Sequence, residues 1–499
     1  MEFGHIAQIE KRKESDILVI PFWKGKKHGE WAVSLSPSLT TSCFPALESG
    51  DFKGKEGETL FLYLKDQPEK RAVLLGLGAN EKISTEILRR CYGSLLKACL
   101  SRKFQALNVI IPKIDALTED SLVSGISEGL LLPNYPIERY KQQDSEELDP
   151  PVLLKKVILI GPYKHALTIA EKCFAIAEGV YYARDLVNGN ADDITPQYLE
   201  ACARGLANQF PHLKVTLFDK KRIEKEKMGL LLAVNRGSHL DPAFIIMEYK
   251  GNPKSKDHTV IVGKGITYDT GGLNIKTVNM ETMKCDMGGG AACFGTIIAA
   301  CNLQLKTNIT VVIPSTENSV DAKSFKPGDV YISYLGKSVE MTNSDAEGRL
   351  VLADALAYAV AHLHPTRLID IATLTGGIDV ALGAEATGLM SNDDALSNAL
   401  VLAGANTFER LWRMPLYDEY REKLKSDIAD MKSWNGRSAT SCVAAMFIKE
   451  FTGNIPWAHL DIASTAYMIE PKKYQPKYAT GVGVRLMIEF LENLIAEEG

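Results

Sequence analysis

His258-Thr259-Val260-Ile261-Val262-Gly263-Lys264-Gly265-Ile266-Thr267-Tyr268-Asp269-Thr270-Gly271-Gly272 opens on a short β-branched run and passes into a glycine-rich turn. A run of this length bounded by glycine reads as a buried strand, and the glycines let the backbone turn tightly beside a ligand. Lys264 and Asp269 therefore project at a strand end. Similar runs at 260–262, 309–313, 368–371 and 457–460 are separated by helical patterns, which predicts a mostly parallel sheet flanked by helices. Ligands of such sheets bind beyond the carboxyl ends of the strands, so the polar residues that follow each run are the functional candidates.

Upstream, short apolar runs at 17–20, 72–75, 109–111 and 157–160 alternate with helical stretches and predict a smaller α/β domain. The acidic stretch 140–151 (YKQQDSEELDPP) reads as an exposed loop near its end, and 165–187 reads as one long helix. The expected domains are an N-terminal α/β domain at 1–163 and a larger C-terminal domain at 164–499. Two are expected because one hydrophobic core stops growing at roughly 250–300 residues.

Composition narrows the function classes. Hydrophobic residues at 45% and charged residues at 24% suit a globular chain that can bury a large core. A net charge of −5 supplies no general basic field for nucleic acid. The nine cysteines are scattered and never form Cys-x-x-Cys, which argues against a disulfide framework and a thiolate zinc site and implies a reducing compartment. No stretch approaches the ~18 apolar residues of a membrane span, and the N-terminus lacks a signal pattern, so the expected location is the cytoplasm, without membrane partners.

A nucleotide-binding reading of the glycine turn fails, since Gly-x-x-x-x-Gly-Lys-Ser/Thr is not satisfied there. It fails again at Gly336-Lys337-Ser338, where Tyr331 stands in the first glycine's place. Further along, Met341-Thr342-Asn343-Ser344-Asp345-Ala346-Glu347-Gly348-Arg349-Leu350 spaces Asp345, Glu347 and Arg349 by two, so an extended segment would put them on one face as it enters a helix marked by Leu352, Leu356 and Val360. Taken alone, this could equally be helix capping by Asp345 with a surface ion pair to Arg349. Asp286, in Lys284-Cys285-Asp286-Met287-Gly288-Gly289-Gly290, is a fourth acid at the head of an apolar helix. Grouped carboxylates without Cys or His pairs suit hard or borderline divalent cations.

These residues resemble the leucyl aminopeptidase family. The likeness rests on Val262-Gly263-Lys264-Gly265, Tyr268-Asp269-Thr270-Gly271-Gly272, Asn343-Ser344-Asp345-Ala346-Glu347-Gly348-Arg349-Leu350 and Asp370-Ile371-Ala372-Thr373-Leu374-Thr375-Gly376. Ala183-Arg184-Asp185-Leu186-Val187-Asn188 and Trp457-Ala458-His459-Leu460-Asp461-Ile462-Ala463 extend it over roughly 180–490. The resemblance implies a metallo-exopeptidase that removes an N-terminal leucine or other apolar residue from short peptides by a metal-bridging hydroxide, in a homohexamer. It implies two divalent ions, Mn²⁺ or Zn²⁺. Lys264, Asp269, Asp286 and Glu347 would hold one and Asp269, Asp345 and Glu347 the other, with Lys264 ligating as a neutral amine. Lys276 would stabilise the oxyanion, Arg349 would hold a bicarbonate with backbone near Leu374, and Met283, Thr373, Leu374 and Gly376 would line the pocket for the first side chain.

The sequence departs from the family at Ser344 (usually Thr), at Ser319-Val320 (usually Met-Pro) and in the loop 277–285, which is one residue short beside Met283. His459, beside an apolar strand, reads as a core histidine rather than a ligand. Some family members also bind DNA as architectural proteins. The acidic net charge weighs against that here, and Lys24-Gly25-Lys26-Lys27-His28 and Lys220-Lys221-Arg222 read as solvated faces.

Overall fold

Runs of Val, Ile and Leu too short for a buried helix form strands at every place where the sequence puts them. The computed structural model describes residues 1–25, 30–137, 140 and 152–498. The acidic stretch apart from Tyr140, and Lys26, Lys27 and His28 of the first basic cluster, lie outside the described residues. The chain divides into two compact units, Met1–Ala177 with Glu470–Lys477, and Glu178–Ile469 with Tyr478 onward. The expected boundary at 163 precedes the long helix Ala166–Asn188, along which the units divide.

The first unit holds a seven-stranded sheet in the order Glu2–Ile6, Lys156–Ile160, Ala106–Ile110, Ile17–Trp23, Arg71–Gly76, Thr59–Tyr63. The first five are parallel; Thr59–Tyr63 and the short Glu30–Trp31 pair antiparallel. Ile17–Trp23 is buried at all positions, which is why it reads as an unbroken apolar run rather than an alternating one.

The second unit is built on a nine-stranded sheet. Its order is Leu411–Arg413, Thr387–Ser391, Trp457–Asp461, Arg367–Ala372, Thr259–Gly263, Asn308–Asn318, Ala243–Lys250, Leu213–Phe218, with Gly265–Asp269 also pairing Asn308–Asn318. The four central strands, Trp457–Asp461 through Asn308–Asn318, are parallel, and antiparallel neighbours close either side. The helix Gly288–Leu303 is apolar all round and buried from Gly288 to Cys301, as a helix enclosed on every side must be. It lies so close to the sheet that a Cβ on Gly289 would fall 1.9 Å from the Ile371 carbonyl.

The other central helix, Glu347–Leu363, is tied down by the buried Asp354, whose carboxylate accepts from the backbone N–H groups of Leu230 (2.9 Å), Leu231 (3.0 Å) and Tyr334 (2.7 Å). Asp354→Ala would strand these donors, and a buried unsatisfied group costs about 1–3 kcal/mol. We expect the melting temperature of this unit to fall by about 2–12 °C. A thermal scan showing no fall would refute the tie.

Candidate active site

The parallel strands bring their carboxyl ends together, and the site is assembled there. Thr259–Gly263 runs into Lys264, whose backbone is pinned on both sides: its N–H donates to the Ile371 carbonyl (3.0 Å) and its own carbonyl accepts from Gly290 N–H (2.8 Å). The residue is 2% exposed. Its Nζ lies 2.7 Å from Asp286 Oδ2 and 2.8 Å from Glu347 Oε1, and donates to the Thr373 carbonyl at 3.0 Å. Gly348 leaves room for it, since a Cβ there would lie 2.7 Å from that Nζ and the lysine's end would have to shift.

Asp269 ends the strand Gly265–Asp269, and its Oδ1 accepts from Gly271 N–H and from Asn318 Nδ2, both at 2.8 Å. Asn318, at the end of its own strand, also donates to the Ser344 carbonyl at 3.0 Å. The loop after Asp269 turns through Gly271 at φ +84° and Gly272 at φ +61°, and Lys276 N–H returns to the Thr270 carbonyl at 2.9 Å. Lys276 Nζ then reaches Asp269 Oδ2 at 2.8 Å and also pairs with Asp345. Ser344 keeps the hydroxyl chemistry of the family threonine: it donates to the Gly271 carbonyl at 2.7 Å and accepts from Asn274 N–H at 2.7 Å.

The segment around Asp345 is not extended, contrary to what its spacing suggests. Asn343 Oδ1 accepts from Asp345 N–H at 2.9 Å and starts a tight 3-10 turn, Ser344–Ala346, which runs into the helix Glu347–Leu363. Asp345 and Glu347 still converge, and with Asp269 they offer carboxylate oxygens within 4.8 Å of one another. Arg349 feels the charge of Glu347 but forms no ion pair with these acids among the described residues. It is buried, donates from an η nitrogen to the Ser433 carbonyl at 2.9 Å, and its Nε has no hydrogen-bond partner among the described residues. The cation that pairs with Asp345 is thus Lys276 rather than Arg349.

Four carboxylates face two lysines here, and their ionisation follows from that imbalance. Burial pushes the Asp286 carboxyl well up against the pull of Lys264, and it raises Asp269, with Glu347 adding to the effect. Burial, then Glu347 and Asp269, push Asp345 up to about 6. Glu347 goes the other way, since Lys264 and Lys276 outweigh its burial and hold it below its ordinary value. Burial disfavours both ammonium groups, yet the surrounding acids win and keep Lys264 and Lys276 above the usual lysine range. With the protein's own charges alone, Lys264 is an ion-pair partner; a neutral, ligating amine there requires added positive charge.

Residues 181–488 match the catalytic domain of the cytosol aminopeptidase family, and residues 19–144 match its N-terminal domain. The chain belongs to the cytosol aminopeptidase family. Among its relatives, the probable cytosol aminopeptidase of Protochlamydia amoebophila is 66% identical over 99% of both chains, and that of Chlamydia abortus is 45% identical over 99% of both. Among solved structures, the bottromycin maturation enzyme BotP superposes with a TM-score of 0.83 at 28% identity, covering 97% of this chain and 100% of that one. The same enzyme in complex with Mn gives 0.84 at 27%, covering 96% and 99%. Membership makes the protein an N-terminal exopeptidase, a hydrolase acting on peptides. Among the described residues no helix is long and apolar enough to cross a membrane.

Within this family member the structure brings Lys264, Asp269, Lys276, Asp286, Asp345 and Glu347 into one connected cluster. Thr373 joins it twice, through its carbonyl on Lys264 and its hydroxyl, which donates to Asp286 Oδ1 at 2.8 Å. A Cβ on Gly348 would lie 3.0 Å from a Leu374 methyl, so Leu374 packs beside Gly348 next to the end of Lys264. Gly376 is exposed at the start of the helix Gly376–Leu382, and Met283 is half-buried in the turn Met280–Met287 that carries Asp286. Asn318 escaped the sequence reading, although as a polar residue ending an apolar strand it carried the right signal. His459 is fully buried, with Nδ1 on Asp370 Oδ1 at 2.5 Å, and all nine cysteines are free.

Proposed function

We propose that this exopeptidase uses two divalent ions, Mn²⁺ or Zn²⁺, to remove an N-terminal leucine or other apolar residue from short peptides in the cytoplasm, as a homohexamer. The observation that carries the reading is the approach of Asp269, Asp345 and Glu347 oxygens to within 4.8 Å of one another, with Glu347 also reaching Lys264 beside Asp286. An all-oxygen donor set plus one amine fits such ions, and two dications would offset four carboxylates. Lys264, Asp269, Asp286 and Glu347 would hold one ion, and Asp269, Asp345 and Glu347 the other. Bound divalent ions supply Lewis acidity, polarising the scissile carbonyl and making water acidic near neutral pH.

The chain's own residues do the rest. Asp269 and Glu347 sit where both sites need charge, and Asn318 fixes Asp269 by hydrogen bonding to its Oδ1. Lys276, whose ammonium is here shared by Asp269 and Asp345, is the cation available to a developing oxyanion once those carboxylates have other partners. Arg349 keeps an Nε–H without a partner among the described residues, which suits the small anion, bicarbonate, that the family resemblance implies there. Met283, Thr373, Leu374 and Gly376 would border the pocket for the first side chain. A DNA-binding role draws no support from the Lys220–Arg222 cluster, where Lys220 pairs with Asp241 and Arg222 with Glu226.

The test is metal removal. Chelator-treated protein should lose hydrolysis of leucine amide, regain it with Mn²⁺ or Zn²⁺, and bind two ions per chain by calorimetric titration. Retained activity in metal-depleted protein would sink the proposal.

A further inference from the structure

We propose that Asp461 is a positioning residue for Lys264, acting through the peptide group that joins Thr373 to Leu374. The parallel strands Arg367–Ala372 and Trp457–Asp461 pair Ala372 with Asp461, and their ladder ends with Ile462 N–H on the Ala372 carbonyl at 2.8 Å. Among the described residues the strand pairing ends at Ala372. Asp461, fully buried, receives N–H groups beyond that point with its side chain. Its Oδ1 accepts from Leu374 N–H at 3.1 Å, Thr375 N–H at 3.4 Å and Ala463 N–H at 3.3 Å. Its Oδ2 accepts from the Thr375 hydroxyl at 2.7 Å, and with that proton committed, the Ser441 hydroxyl 2.6 Å away must donate to Thr375.

Leu374 N–H and the Thr373 carbonyl belong to one planar peptide group, trans like every peptide bond in the described chain. In a trans peptide the two bonds point in opposite directions. The grip of Asp461 on the N–H therefore aims the carbonyl the other way, onto Lys264 Nζ at 3.0 Å. The same residue, Thr373, presents its hydroxyl to Asp286. A carboxylate that touches none of the four clustered acids thus sets the orientation of the amine and of one acid among them. Groups that orient a metal site's ligands typically contribute about 10–100-fold in metal affinity or activity.

This inference rests on the reading of the cluster as a two-ion site, so the experiment carries a control for that reading. Mn²⁺ alone is titrated calorimetrically into Asp461→Asn, Thr375→Val and Glu347→Gln protein, each checked for folding by its melting temperature. The expected result for Asp461→Asn is one of two Mn²⁺ binding steps weakened about 10–100-fold with the other unchanged, because the amide cannot accept from both backbone and hydroxyl donors as the carboxylate does. Thr375→Val, which removes one of those donors at constant shape, should weaken the same step by about tenfold or less. If Asp461→Asn lowers the melting temperature but leaves both Mn²⁺ steps unchanged while Glu347→Gln loses binding, the positioning role is overturned and the site reading stands. If Glu347→Gln also binds Mn²⁺ normally, the site reading itself falls. Should Asp461→Asn fail to fold, unchanged Mn²⁺ binding by Thr375→Val overturns the proposal.

Discussion

Glu347→Gln is expected to cut both Mn²⁺ binding and the hydrolysis of leucine amide by more than about 100-fold, beyond the range of changes that only perturb a ligand's surroundings. Glu347 occupies the junction of the cluster. One carboxylate oxygen lies 2.8 Å from Lys264, next to Asp286, while the residue also groups with Asp269 and Asp345 within 4.8 Å. It is the acid whose ionised form the protein itself favours, because Lys264 and Lys276 outweigh its burial. Asp286, by contrast, reaches Lys264 and the Thr373 hydroxyl and lies outside the three-acid group, and burial favours its protonated form. Asp286→Asn should therefore lose less, and lose it at one ion only. Metal content after exhaustive dialysis, measured on both variants, checks the order; equal content would contradict the sharing of Glu347 between two sites.

The second large effect is expected at Lys276. Lys276→Ala should lower turnover by about 10²–10³-fold, the usual contribution of a group that stabilises an oxyanion, while the protein still takes up its metals. The geometry offers a competing account, since Lys276 also neutralises Asp269 and Asp345, and without it those acids would be harder to ionise. The two accounts separate on saturation with Mn²⁺. If Lys276 only balances charge, excess metal restores turnover in Lys276→Ala; if it serves the oxyanion, the metal-loaded variant stays slow. Full activity in the loaded variant would remove the assigned role.

Much of this site was legible because it follows strand ends. The run at 260–262 and the glycine turn announce Lys264 and Asp269, since a β-branched run closed by glycine admits few other structures. The mostly parallel sheet was legible for the same reason, although its antiparallel margins at Leu213–Phe218 and Ala243–Lys250 carried no separate signal. The conformation of Asp345 was not legible, because the turn is held by bonds seen only in the folded chain, among them those that Asn343 Oδ1 accepts from Asp345 N–H and Asn274 Oδ1 from Ser344 N–H. Nor were the duties of Asn318, Thr373 and Asp461. Each depends on register between strands far apart in sequence, such as Ala372 beside Asp461, and register is a property of the assembled sheet. Arg349 was legible as a residue, but its hydrogen bond to the Ser433 carbonyl joins segments far apart in sequence and was not.

If the proposed ions hold the substrate's free N-terminal amine, leucine amide and N-acetyl-leucine amide must differ sharply when compared at identical Mn²⁺ loading. Acylation removes the amine lone pair available for coordination, and a free α-amino group, with a pKa of about 7.7–8.0, is readily neutral near pH 8. Coordination of the amine predicts rapid hydrolysis of leucine amide and none detectable for the acetylated compound, which should act as a weak competitive inhibitor at most. Equal rates for the two would contradict it and leave an amidase or endopeptidase in its place.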